Sequence, residues 1–293
     1  MMAVDTSTAS ELTAEQVQRI LVQPLEQESR FLASGPRIFD TANQLRIPKM
    51  AGATSPAWYA ENAQITDDDP DFDEVVLLPS TMKSVKVLTR FSNELARQSV
   101  IALDAALKAR LVRDVAATID GQFFGASGDG TTTPKGLFAW TGTQTLAVGA
   151  ALSIDDLHDA EGLALAANVD PTRLRWFMRS REFVELRKLK ASGTGDYLIQ
   201  PDPTQAGAYQ LLGHGVVITN RIPDTTATPA TARAALADMS QVAVARDQAP
   251  SVKLLDQTFG DFDQQALRVT ARYDAAPLNA EAVVKLTGIT IPS

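Results

Sequence analysis

The chain has 293 residues, 45% hydrophobic, 6% aromatic and 21% charged. That supplies apolar surface for one sizeable core or two modest ones, and is too ordinary a mix for wholesale disorder. There is no cysteine, which excludes disulfides and thiolate metal centres. A net charge of -8 with no run of Lys and Arg argues against a surface that grips DNA or RNA tightly. No apolar run reaches the roughly 18–20 residues of a membrane span. The polar, acidic start lacks the basic and apolar regions of a signal peptide, so a cytoplasm-like compartment is expected.

Residues 1–50 open with a short helix that Thr13 caps, Val17, Ile20 and Leu21 line and Pro24 limits. Residues 31–49 lack helical periodicity and contain Gly35, Pro36 and Pro48. Their apolar side chains, among them Phe31, Leu32, Ile38 and Phe39, predict an extended arm docked on its own or a neighbouring subunit. Residues 51–91 read as strand, acidic tip, strand. Val85, Val87, Thr89 and Phe91 share one face, and Ser84, Lys86, Leu88 and Arg90 the other. Asp67, Asp68, Asp69, Asp71, Asp73 and Glu74 crowd together, so they must be solvated or meet cations. A calcium loop fails on spacing: Phe72 stands where the turn needs Gly, and Leu78 where the bidentate Glu belongs. Lys83, Lys86 and Arg90 follow, which suits acid-to-base pairing between copies.

Residues 99–124 predict one long helix. Leu103, Leu107, Leu111, Val115, Ile119 and Phe123 recur every fourth position. Ile101, Val112, Ala116 and Phe124 widen that stripe, and Asp104, Lys108, Arg110, Arg113, Asp114 and Asp120 are assigned to the opposite side. At about 1.5 Å per residue the helix is roughly 39 Å long, a beam more than a core helix. Gly125, Gly128, Gly130, Pro134 and Gly136 then demand tight turns. This segment departs from the phosphate-loop pattern, since Lys135 stands between Pro134 and Gly136.

Residues 149–249 read as an α/β segment. Ser153 caps a helix with Asp155 and Asp156 at its positive end and Ile154, Leu157, Leu163 and Leu165 as apolar positions. A buried strand spans 174–178. A helix over 179–190 turns Phe183, Val184 and Leu186 inward and is ended by Gly193 and Gly195. Strands are expected at 197–199, 216–219 and 242–245, with a loop of small polar residues at 223–232. In 250–293 Leu267, Val269, Ala271 and Tyr273 alternate with Arg268, Thr270 and Arg272, and residues 282–291 return as an antiparallel partner. Strands from both ends of the chain are expected to cover the long helix. His158 reads as an exposed helix residue and His214 as a turn residue. No nucleophile turn or dinucleotide fingerprint accompanies them. No catalytic residue, cofactor or metal is expected.

From 57 to 287 the order of these features resembles the tailed-bacteriophage major capsid proteins of the Hong Kong 97-type fold. The residues that carry it are Trp58, Glu61 and Ile65; Phe72 and 75–79 with the strand 85–91; Leu95 and Ser99; and above all the helix end FFGASGDGTTTPKGLF. Trp176, Met178, the run LRKLK at 186–190, Gly195-x-Tyr197-Leu198, Leu211-Leu212-Gly213 with Val216, Asp238-x-Ser240, Arg272 and Ala282 follow in register.

The resemblance implies an α+β chain in five segments: an N-terminal arm (1–50), an extended β-hairpin loop (51–91), a peripheral domain on a long spine helix (92–148), an axial α/β domain (149–249) and further peripheral strands (250–293). It implies hexamers and pentamers of an icosahedral shell around double-stranded DNA, assembled in host cytoplasm with portal, scaffold and decoration proteins as partners and no membrane. An acidic shell wall would keep enclosed DNA mobile. At most 50 residues precede the loop and Met1 leads them, so a separate scaffold protein is expected. Some relatives join a loop lysine to an asparagine. Lys83 and Lys86 lie near that loop and Asn279 and Glu281 near the acceptor, but their context differs and no cross-link is expected. An encapsulin-type nanocompartment shell is the alternative on the same fold, and a soluble enzyme the alternative of another class.

Overall fold

The computed structural model describes residues 28–50, 58–62, 64, 72–92, 103–190, 195, 197–199, 209–247, 251–255 and 263–291. The expected helix at Thr13, the start of the long helix at 99–102, Gly193, and Asp67, Asp68, Asp69 and Asp71 lie outside them. The elements run α1 (Arg30–Ala33), β1 (Arg37–Thr41), β2 (Leu45–Met50), β3 (Phe72–Leu77), β4 (Val85–Ser92), α2 (Leu103–Phe123), β5 (Gln144–Ala147), α3 (Ile154–Ala166), β6 (Leu174–Met178) and α4 (Ser180–Lys188). Then come β7 (Gln210–Leu211), β8 (His214–Ile218), β9 (Thr231–Asp238), β10 (Val242–Asp247), β11 (Ser251–Leu255), β12 (Gln264–Ala271), β13 (Tyr273–Pro277) and β14 (Val283–Thr290). The chain is α+β. Among the described residues no helix is long and apolar enough to cross a membrane.

A six-stranded sheet, ordered β5-β14-β9-β6-β8-β7, divides the molecule. Paired residues share a face, so Trp176, Leu236 and Val284 form one row and Phe177, Ala235 and Lys285 the next. The first row joins the core under α3 and α4. Phe177 and Ala235 join the core around α2. A sheet buried on both faces admits no polar alternation, and Ala234, Ala235 and Ala237 of β9 are fully buried within it. This is why 231–238, alanine-rich and without strand periodicity, is a strand that the sequence does not announce. The Lys285 ammonium, caught in this wall, donates to the Trp140 carbonyl at 2.9 Å, and burial pushes its pKa down.

From Leu111 on, the stripe on α2 is as expected: Leu111, Val115, Ile119 and Phe123 are buried together with Val112, Ala116 and Phe124, while the side chains of Ile101, Leu103 and Leu107 lie outside the described residues. Val85, Val87 and Phe91 of β4, and Leu267, Val269 and Ala271 of β12, cover it. Asp120 is not on the solvent side as assigned; it is 4% exposed. It stands four residues after Ala116 and four before Phe124, within an apolar row. Its carboxylate accepts from the Ser29 hydroxyl (2.5 Å) and from the Arg30 (2.8 Å) and Phe31 (3.2 Å) amides. Those amides open α1, whose Phe31 packs against Phe123, Phe124 and Trp140 with ring centroids 4.9, 5.3 and 6.4 Å away. Burial pushes the Asp120 carboxyl up, against the hydrogen bonds that pull it down.

Four further expectations are corrected. The strand at 85–92 is not the return arm of the acidic hairpin. The hairpin is β2 with β3, in register Lys49 with Asp73, while β4 pairs with β12 along its length. Alternation sets which face a strand buries but not which strand lies beside it. For the same reason the two C-terminal strands do not pair with each other: β12 lies between β11 and β4, and β14 between β9 and β5. On α4, Val184 is 45% exposed and Glu182 is buried. Val184 and Leu186 are two positions apart and so point to opposite sides. Leu165, assigned to the apolar face of α3, is exposed. Ser153 caps α3 as expected, and the structure adds the reciprocal bond from Asp156 that completes a capping box.

Asp120→Ala leaves the Ser29 hydroxyl and the Phe31 amide buried without their acceptor. It is expected to destabilise the soluble chain by about 2–4 kcal/mol in urea unfolding, with Asp120→Asn costing less. Equal stability of wild type and Asp120→Ala would show that the arm contributes nothing to the core.

Candidate functional site

The glycine-rich turn after α2 is closed on itself. A Cβ on Gly128 would lie 2.0 Å from the Pro134 carbonyl oxygen, and one on Gly136 2.2 Å from that of Gly125. Gly128 also has φ +110°, a conformation that L side chains rarely adopt. The amides of Thr131 (3.0 Å), Thr132 (2.8 Å) and Thr133 (2.9 Å) converge as a nest that would suit an anion. The Asp129 carboxylate occupies that nest. The Thr132 hydroxyl first, and then the three amides, hold its carboxyl well below the usual carboxylate range. A phosphate would therefore have to displace a carboxylate already bound by the same donors. The turn is tied backwards by Gln122 Nε2 to the Pro134 carbonyl (2.6 Å), and sideways by the Thr81 hydroxyl to Thr131 O (2.7 Å) and the Lys83 amide to Thr132 O (2.9 Å). Lys83 thus belongs to this support, apart from Lys86 and Arg90.

Between the turn, β3 and β13 lies an open cleft of about 330 Å³ with Trp140, Leu77 and Pro277 among its apolar walls and Lys49, Lys135 and Asp129 among its charged ones. At its base Asp274, 3% exposed, accepts the Leu78 amide at 2.9 Å and the Ala275 amide at 2.9 Å. Leu78 has φ +51°, so this bond holds a left-handed residue at the root of the hairpin. Burial pushes the Asp274 carboxyl up to about 6. Arg272 reinforces the root, donating to the Pro79 carbonyl at 2.9 Å.

The charged candidates divide into groups. Asp73 and Glu74 sit on β3 and pair with Lys49 (3.1 Å) and Arg46 (3.3 Å) of β2. Lys86 and Arg90 share the outer face of β4, as alternation predicted. The register places Arg268 beside Leu88 and Lys253 beside Arg268 on that same face. The sequence reading missed Arg268 and Lys253. Their charge was visible, but the neighbour relation across three strands was not.

Beside β6 and α4, Arg179 and Arg181 bind Asp224 at 2.7 and 2.9 Å, and Arg181 also binds Glu182 at 2.6 Å, pinning the loop that precedes β9. His214 opens β8 and is buried. Its Nε2 meets Glu161 at 3.2 Å, and His158 approaches the same carboxylate at 3.9 Å. Exposed apolar side chains gather at Val184, Tyr197, Leu198 and Tyr209, and Trp58 is fully exposed. Among the described residues no group of three or more His, Asp or Glu could hold a metal ion.

The model of the phage capsid family matches residues 10–288. No curated protein matches the chain. Among solved structures, it is similar to a chain described as the capsid of native GTA particle computed with C5 symmetry, at 17% identity over 99% of this chain and 95% of that one, TM-score 0.69. It is also similar to chains of Mycobacterium phage Adephagia (17% identity, 90% and 91% covered, TM-score 0.70) and Mycobacterium phage Bobi (15%, 98% and 94%, 0.69). At these identities the likeness is one of fold.

Gly136→Ala, which forces a backbone clash, is expected to cost more than about 3 kcal/mol in urea unfolding, whereas Gly162→Ala, with open space around it, should be nearly neutral. A raised carboxyl pKa makes the protonated form the one that folding favours. The Asp274 contribution is therefore full below its unfolded pKa and is lost as pH rises through about 6. Lowering the pH from 7 to 5 should stabilise wild type relative to Asp274→Asn by about 1 kcal/mol. Parallel pH dependence in the two proteins would contradict this.

Proposed function

This chain belongs to the phage capsid family, and we propose that it is the major capsid protein of a tailed phage. In this reading hexamers and pentamers of the chain close into an icosahedral shell around double-stranded DNA. The observation that carries the reading is the family match across 10–288 combined with a fold shared, over nearly the whole chain, with a particle capsid. The role is structural, without catalysis or a cofactor.

The geometry supports a role for each part. α2, covered by β4 and β12, serves as the spine of the peripheral domain. The hairpin β2–β3 is the base of an extended loop that reaches an adjacent copy. The α/β region with α3, α4 and the loop before β9 serves as the axial domain. β14 and β5 complete its sheet, so the two domains share strands instead of meeting at a linker. Exposed Trp58, Val184, Tyr197, Leu198 and Tyr209 support contacts with neighbouring copies, because apolar surface of this kind is stabilised by cover. Without disulfides, stability of the shell comes from many moderate interfaces summed over a closed assembly. Portal, scaffold and decoration proteins are its expected partners, and the virion, assembled in host cytoplasm, its place.

Electron microscopy of particles from cells expressing the full chain, with nucleic-acid staining of native particles, tests the reading. Icosahedral shells with DNA are expected. Protein-filled shells would favour an encapsulin-type compartment, and a stable monomer or dimer under all conditions would overturn both. Neutralising Asp67, Asp68 and Asp69 together to Asn should lower shell yield while leaving the unfolding of the soluble chain unchanged.

A further inference from the structure

We propose that the open edge of β8, flanked by Arg30 and Arg175, takes an extended acidic segment of another protein as an added strand. The inference goes beyond the shell reading and does not depend on it.

β8 is second from the end of the six-stranded sheet, and the end strand β7, only Gln210–Leu211, covers little of it. β7 stands opposite His214 and Gly215. The Val216 amide still reaches the Tyr209 carbonyl at 2.9 Å, while the Thr219 amide turns the other way, to Met178 of β6 at 3.0 Å. Successive residues of a strand direct their backbone groups to alternate sides. Ile218 therefore turns its amide and carbonyl away from β6, past the end of β7. Among the described residues no strand pairs with Val217 or Ile218 on that side. An unpaired edge of this kind is a template for one more strand.

A cleft of about 460 Å³ runs along the edge, with Arg30, Arg175 and residues 215–218 in its wall. Arg175 pairs with Gly215, and Phe177 with Val217. Phe177 belongs to the core around α2, so Arg175 stands on the α2 side of the sheet. Gly215 has open space where a side chain would stand, which leaves Arg175 uncovered. Arg30 reaches the same cleft from α1, whose place Asp120 fixes by accepting the Arg30 amide at 2.8 Å. Both arginine side chains are exposed, and among the described residues neither has an ion-pair or hydrogen-bond partner. On the opposite face of β8, Val216 and Ile218 are half-buried against the core under α3 and α4.

Charge and edge together select the occupant. Side chains of an added strand alternate between the two faces. One set meets the two arginines, and the other extends the apolar row of Val216 and Ile218. An alternation of acidic and apolar residues satisfies both, and the peptide backbone supplies donors and acceptors to the edge. A phosphodiester backbone would meet the arginines but has no row of amides to pair with β8. The acidic strand β3 of a second copy is already paired with β2, and its Asp73 and Glu74 are engaged by Lys49 and Arg46. The occupant is therefore assigned to another protein.

The test is a fluorescein-labelled peptide, Glu-Val-Glu-Val-Glu-Val, titrated against the full chain by fluorescence anisotropy. Binding that weakens with salt is expected, at least tenfold weaker for Arg30→Glu/Arg175→Glu and intermediate for Arg30→Gln/Arg175→Gln, which keeps the test valid if charge reversal disturbs folding. Two further peptides, N-methylated at every Glu or at every Val, report on the edge. One of them should lose binding, because methylation removes the amides that face β8. The proposal is overturned if wild type does not bind the parent peptide, if the reversed variant binds it equally, or if both methylated peptides bind as well as the parent. It is overturned also if binding appears only after residues 201–208 are replaced by glycine and serine, which would give the edge to the chain's own preceding segment. A 20-base single strand of DNA that loses affinity for the reversed variant while the peptide does not would make the cleft a phosphate site instead. Self-association of wild type in sedimentation that the reversed variant lacks, with peptide affinity unchanged, would place a second copy on the edge. Peptide binding does not require shells, so a chain that binds it yet never forms particles overturns the shell reading alone.

Discussion

The structure converges on the Phe31 side chain. Its ring fills the space between Phe123, Phe124 and Trp140, and Phe124 in turn meets Phe177 of the six-stranded sheet at 5.6 Å. The N-terminal described segment, α2, the segment after the glycine-rich turn and the sheet thus share one aromatic cluster. Aromatic burial is strong but weak in direction. Direction comes from Asp120, one helical turn before Phe124, whose carboxylate accepts the donors at the start of α1. A buried carboxylate is costly unless its hydrogen bonds are made. The arm therefore seats in a single position, and the order of the N-terminal described segment depends on a residue some 90 positions later.

A second constraint is the sheet buried on both faces. It obliges β9 to be built from small residues and places Lys285 where only a backbone carbonyl can receive its charge. It also removes any simple boundary between the two cores, since β6, β9 and β14 contribute side chains to both. The glycine-rich turn follows the same economy. Its amide nest, which in isolation suits a phosphate, is filled by Asp129, so the segment serves backbone geometry and supports the root of the hairpin through Thr81 and Lys83.

Much of this was legible in advance. The four-residue spacing on α2, the alternation in β4 and β12, the Ser153 cap and the multi-turn stop at 125–136 are local, and each appears as read. The failures share a cause. Asp120 is a charged residue in an apolar row, and charge suggested exposure where helical position implied burial. Val184 and Leu165 erred the opposite way. Strand partners were misassigned because hydrophobic alternation carries no information about the neighbour, and β9 was missed because burial on both faces erases alternation altogether.

The sequence by itself determined the class, the long helix α2, the turn that ends it and the family resemblance that the match across 10–288 bears out, because these depend on residues close together in the chain. Only the tertiary structure decided where charge resides. Read linearly, the chain has no basic cluster. Folding brings Lys86, Arg90, Arg268 and Lys253 onto one sheet face from three separate strands, while Asp120, Asp274 and Glu182 are taken into the interior. Electrostatic surfaces and buried carboxylates depend on distances between residues remote in sequence, and those distances are set by strand pairing and packing, which local periodicity does not encode.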